Sequence, residues 1–145
     1  MEPGEQPPAA EDVCIEICEL PPLAEAIRVE IREMIPETTI SNQPQEAPQF
    51  TEDTHGRKNY TGDVLEAKIS LFTFKMAIGT KWRWELIYWR KSGKLIYDRE
   101  YGYLIPLSTN INLTPGGEVQ QGNYARVIGQ PVLSPRAAAI FLIPL

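Results

Sequence analysis

The sequence predicts a mostly-β chain, an antiparallel β-sandwich preceded by an extended arm and one short helix. Three observations carry that expectation. All three tryptophans and four of the six tyrosines fall within residues 81–103, in two strand-like runs that flank Ser92-Gly93, a tight-turn dipeptide. Within the first run, Trp82, Trp84, Leu86 and Tyr88 alternate with Arg83 and Glu85, the period-2 signature of a half-buried strand. Beyond it, further short apolar runs are punctuated by Pro115-Gly116-Gly117 and Gln121-Gly122-Asn123, the spacing of a sandwich or barrel.

Taken in order, residues 1–22 read as an acidic, proline-rich arm that ends in a short strand. The first twelve residues are largely Pro, Glu and Ala, which offer too little apolar surface to order themselves. Val13, Ile15 and Ile17 then alternate with Cys14, Glu16 and Cys18, and Pro21-Pro22 breaks the run. Residues 23–35 fit two periods. Leu23, Ile27, Ile31 and Met34/Ile35 make a helical stripe, whereas Ile27, Val29 and Ile31 alone would suit a strand. The proline at the start and Pro36 as a stop favour the helix.

Residues 36–62 read as a polar connector carrying the single histidine, His55, and residues 63–145 as the sandwich. In the latter, Leu65, Ala67, Ile69 and Leu71 alternate on odd numbers and Phe72, Phe74, Met76 and Ile78 on even ones. That switch predicts a β-bulge or a strand that changes sheets at 71/72. Further strands are expected at 104–107, 110–113, 124–128 and 137–143. The Trp-x-Trp run and Gly122-Asn123-Tyr124 loosely resemble immunoglobulin-type sandwiches; a jelly-roll-like arrangement is the other form expected. The resemblance is to a superfold and implies no activity.

Composition narrows the function classes. Thirteen prolines include eight before residue 49. Residues 1–59 carry a net charge of −9 and residues 60–145 a net charge of +4, so the total of −5 hides an acidic half suited to packing on basic surface. The N-terminus lacks a basic and apolar leader pattern, and no apolar run reaches the ~18 residues of a membrane span. Synthesis in the cytoplasm and no membrane partner are therefore expected.

Each chemistry-bearing motif has a plainer alternative. A hairpin across Ser92-Gly93 would set Tyr88 against Tyr97, Trp84 against Tyr101 and Trp82 against Tyr103, as core packing. The same window would suit bases stacking on rings with Lys81, Arg83, Arg90, Lys91, Lys94 and Arg99 on phosphates. But Arg83 falls on the face opposite the tryptophans, and that register sets Glu85 opposite Glu100, which disfavours nucleic acid. Cys14 and Cys18 lack the paired spacing of a zinc site, and with His55 they remain short of four ligands. His55 in Asp53-Thr54-His55 has no nucleophile motif beside it. Pro115-Gly116-Gly117-Glu118 lacks the lysine of a phosphate loop. The apolar end, residues 137–145, fits a buried last strand or an exposed edge that pairs with a neighbour.

The expectation is thus of no catalytic, cofactor-binding or metal-ligating residues and no small-molecule substrate. The favoured function is a structural or interaction subunit of a larger assembly, for instance a virion capsid or tail accessory protein whose arm contacts neighbouring subunits. The alternatives are a monomeric binding module or inhibitor that uses the loops at 91–94 and 114–121, and a single-stranded nucleic-acid binder.

Overall fold

Strands apolar on both faces need cover on both sides, and the chain supplies it in three layers. The computed structural model describes residues 13–39, 48–54, 56–79, 81–108 and 110–145. Its elements are β1 (Cys14–Glu19), α1 (Pro22–Arg32), β2 (Gln49–Glu52), β3 (Arg57–Thr61), α2 (Asp63–Met76), β4 (Trp82–Trp89) and β5 (Gly93–Lys94). There follow β6 (Tyr101–Pro106), β7 (Asn110–Thr114), β8 (Gly117–Gln120), β9 (Asn123–Ile128), β10 (Val132–Leu133) and β11 (Ala137–Pro144). A seven-stranded sheet runs β1-β9-β6-β11-β4-β3-β2 and a four-stranded sheet runs β5-β10-β7-β8. Every strand pair is antiparallel. The antiparallel sandwich expected from the sequence is there. Its seven-on-four division and its helical outer layer depart from the immunoglobulin template, which sets roughly four strands on three.

β11 is the keystone. Ala138, Ile140 and Leu142 enter the core beneath the two helices, with Leu86, Ile105, Leu65, Ile69 and Phe72. Ala137, Ala139, Phe141 and Ile143 enter a second core against the small sheet, with Ile87, Trp89, Leu104, Ile111 and Leu113. A strand covered on both faces reads as a continuous apolar run rather than an alternating one. The edge-strand alternative for the C-terminus is thereby overturned.

The aromatic window is not one hairpin. β11 lies between β4 and β6, pairing Leu142 with both Trp84 and Tyr103. After Trp89 the chain crosses to the small sheet, where Gly93 and Lys94 pair with β10. Burial decides the competition. The four large side chains Ile140 to Ile143 are worth about 6–12 kcal/mol buried, at about 1.5–3 kcal/mol each. Cross-strand pairs in the hairpin would add only about 1 kcal/mol each.

Residues 63–76 form a helix, which corrects the two-phase strand expected there. Leu65, Ile69, Phe72 and Met76 are all buried and recur at steps of four, three and four. The change of phase at 71/72 was this helical period and not a bulge. The segment at 23–35 resolves as helix, with Pro22 in the first turn and Ala24, Ile27 and Ile31 buried, while Leu23 faces outward. Two helices therefore stand among the described residues where one was expected.

The connector at 36–62 is partly ordered sheet, since β2 and β3 pair with each other and β3 pairs with β4. With β1 on the opposite edge, the large sheet draws strands from both sides of residue 63. Gly102 is required by packing: a Cβ there would sit 2.5 Å from the Phe141 ring and 2.9 Å from the Leu142 carbonyl oxygen.

Candidate functional site

One corner of the large sheet, on the helical side, is aromatic and only half-buried. Strand register lays out the uncovered corner. Cys14 stands beside Ile128, which stands beside Tyr101; Glu16 stands beside Arg126, which stands beside Tyr103; Cys18 stands beside Tyr124. Residues directly opposite in a sheet share a face, so Tyr101, Tyr103, Tyr124 and Arg126 all point to the helical side. Trp82 joins them from β4, over the intervening strand. All five are half-buried.

These rings form one contact network. Trp82 lies 5.1 Å from Tyr103 and 6.3 Å from Tyr101, centroid to centroid. Tyr103 meets Tyr101 at 6.0 Å and Tyr124 at 5.4 Å, both edge to face. The tilted and T-shaped geometries are those that ring quadrupoles favour. The Trp82 indole N–H donates to the Ile78 carbonyl at 3.0 Å and so fixes that ring. The Arg126 guanidinium sits 4.4 Å over the Tyr101 ring, a cation–π contact. Burial, together with the neighbouring Cys18 thiol, pushes the Tyr124 phenol up to about 12, so it remains a neutral donor at physiological pH.

The apolar surface continues onto α2. A groove of about 260 Å³ between helix and sheet is lined by Ile69, Thr73, Phe74, Trp82, Trp84 and Leu142. Phe74 is 67% exposed, and Val64 and Leu71 also face outward. A helix apolar on two sides has one face for its own core and a second left without cover.

A second concavity, of about 550 Å³, opens between the β2–β3 turn and the crossing after β4. It holds Arg57, Arg90, Lys91 and Lys94 beside Glu52 and Asp53. Arg57 pairs with Asp53 at 3.4 Å and Arg90 with Glu52 at 3.6 Å, so half of its cations already have carboxylates.

The other residues singled out from the sequence are dispersed. His55 lies outside the described residues, as do residues 1–12 of the arm. Cys14 and Cys18 are both free thiols. Four residues apart on an extended strand, they are separated by roughly 13 Å, beyond the span of a disulfide or of one metal ion. Among the described residues no three of His, Cys, Asp and Glu converge on a metal-sized site. Of the six cations in the nucleic-acid reading, Arg83 and Arg99 bind Asp98 at 3.1 and 3.3 Å and Arg90 binds Glu52. The loops at 91–94 and 114–121 belong to opposite edges of the small sheet.

Sequence reasoning named Trp82, Tyr101 and Tyr103 but missed Tyr124 and Arg126. Their alternation on β9 was visible; that β9 would lie beside β6 was not. No helix is long and apolar enough to cross a membrane among the described residues. No protein-family model, no curated protein and no solved structure matches this chain.

Proposed function

We propose that this chain is an interaction subunit of a protein assembly and that it binds its partner through the open aromatic corner of the large sheet. One observation carries the reading: Trp82, Tyr101, Tyr103 and Tyr124 form one connected ring network that is left half-buried at a corner of the large sheet. Tyrosine and tryptophan are the residues that concentrate binding energy at protein interfaces, because they offer large rigid contact area with a polar tip. The groove onto Phe74 enlarges the same surface. A virion subunit is one form such an assembly would take; that version leans on the arm, whose first twelve residues lie outside the described part.

The test is a Tyr101→Ala/Tyr103→Ala chain compared with the parent. Light scattering across concentration reads self-association, and affinity capture followed by titration with the purified partner reads hetero-association. The expected result is a complex weakened by at least tenfold, with circular dichroism unchanged. A complex indifferent to both substitutions would sink the reading.

The charged cleft favours a second reading, a module that binds an anionic ligand through Lys91 and Lys94. Its mark would be affinity that falls steeply with salt and is lost in a Lys91→Ala/Lys94→Ala chain.

A further inference from the structure

β1 forms one edge of the large sheet, and its outer side is complementary to itself. We propose that two copies of this chain join edge to edge through β1, antiparallel about Glu16, and that oxidation locks the pair by bridging Cys14 of each copy to Cys18 of the other. This contact goes beyond the binding role of the aromatic corner and does not depend on it.

The backbone comes first. β1 pairs with β9 on one side, and among the described residues no strand pairs with its other side. The Leu20 N–H donates to the Gly122 carbonyl at 2.9 Å, one step beyond the last pair of the β1–β9 register. Bonding groups alternate sides along an antiparallel strand. Cys14, Glu16 and Cys18 therefore bond inward to β9, while Ile15 and Ile17 hold their N–H and C=O groups outward. An unpaired row of that kind is a template for a further strand. No proline, lysine or bulge guards Cys14–Glu19, and Ile17 is 45% exposed there.

Symmetry then picks the register. A two-fold axis at Glu16 sets Ile15 opposite Ile17 of the second copy, so the residues whose bonding groups point outward meet each other. The same axis sets Cys14 opposite Cys18 of the second copy. Those two form a non-hydrogen-bonded pair, with Cα atoms about 4.5 Å apart, inside the span of about 4.4–6.8 Å that a disulfide bridges. An axis at Ile15 or at Ile17 would set a cysteine opposite Glu16 instead, and no bridge could form. Both thiols are free and Cys14 is exposed. Within one chain they stand too far apart to join, so a bridge requires the second copy. The opposed charges are the two Glu16 carboxylates, which a sheet disfavours. Arg126 stands beside each of them on β9, so the row across the pair reads Arg126, Glu16, Glu16, Arg126. Each bridge forms by exchange with a small disulfide such as oxidised glutathione. One thiolate attacks it, the other copy's thiolate attacks the mixed disulfide, and two reduced thiols leave with the two electrons and two protons.

The experiment treats the full chain with oxidised glutathione, caps the remaining thiols with iodoacetamide, and reads the products by non-reducing electrophoresis and peptide mapping. The parent chain should give a dimer whose cross-linked peptides join Cys14 to Cys18, and reductant should return it to monomer. Cys14→Ser and Cys18→Ser chains should each lose the dimer when oxidised alone, and an equimolar mixture of the two should regain it. That complementation requires both variants to be folded. Ile17→Pro removes an outward N–H while leaving the bonds to β9, so it should lower the dimer yield with both thiols present and circular dichroism unchanged. A parent chain that stays monomeric under oxidant overturns the proposal. So do bridges joining like cysteines, a single-cysteine variant that dimerises alone, or an Ile17→Pro chain that dimerises as the parent does. None of these results touches the binding role of the aromatic corner, which the tyrosine substitutions report separately.

Discussion

Two charged side chains, one buried and one half-buried, show how single residues tie α1 and the segment after it to the sheet. Arg28 is 2% exposed and turns its guanidinium into a bidentate pair with Glu25, at 2.6 and 2.7 Å. The same group donates to the Pro106 carbonyl at 3.3 Å and to Gln121 at 3.0 Å, tying α1 to β6 and to the turn before β9. Arg28→Ala should cost about 2–3 kcal/mol, the scale of hydrogen bonds to a charged group, read as a lower denaturant midpoint with an unchanged slope. The second is Glu37, which accepts from Lys58 at 2.7 Å and from the buried Tyr60 hydroxyl. Burial alone would raise the Glu37 carboxyl, but the bonds from Lys58 and Tyr60 outweigh it and hold the group below the usual carboxylate range. Because the folded value is depressed, its contribution is fully present above the unfolded carboxylate range and fades as pH falls through the folded value. Glu37→Gln should therefore lower Tm near neutral pH and flatten the decline of Tm on acidification below about pH 5.

Among the elements, α2 differs most from its sequence expectation, and its two faces predict two responses. Leu65, Ile69, Phe72 and Met76 fill the core, while Val64, Leu71 and Phe74 face solvent. Leu65→Ala should destabilise by about 2–5 kcal/mol, the usual cost of a large-to-small change in a core. Leu71→Ala and Phe74→Ala should stay within about 0.5 kcal/mol, as surface changes do. Chemical denaturation of the three variants checks both statements. This doubled apolarity is also why α2 was read as strands: with apolar residues on most sides, any short window contains an alternation. α1 was legible because Arg28, Glu30 and Arg32 interrupt its apolar positions and prolines bracket it. β9 was legible as well, since its buried and half-buried residues alternate, and β1 was legible from its Val13-Ile15-Ile17 alternation. β2 and β3 escaped notice for the opposite reason, because an edge hairpin with little buried surface carries almost no apolar pattern.

At the scale of the whole molecule, the acidic N-terminal half is not an appendage. β1, α1, β2 and β3 all come from it, and β1 closes one edge of the large sheet. A deletion that ends at residue 12 leaves every described element in place, whereas one that ends at residue 20 removes β1 and uncovers the β9 edge. The longer deletion should lower Tm by several degrees more than the shorter one, measured by differential scanning calorimetry.

The sequence by itself determined that the chain is mostly β, that 137–143 is an apolar strand and that the aromatic strands mark the core. Local periodicity contains that information, because it reports which side of each element avoids water. The tertiary structure alone decided that β11 divides β4 from β6 and stays buried on both faces, that Tyr124 and Arg126 join Tyr101 and Tyr103, and that these residues are left half-buried. Those outcomes follow from how much apolar area each long-range pairing buries, a quantity set by partners distant in sequence, which no local pattern records.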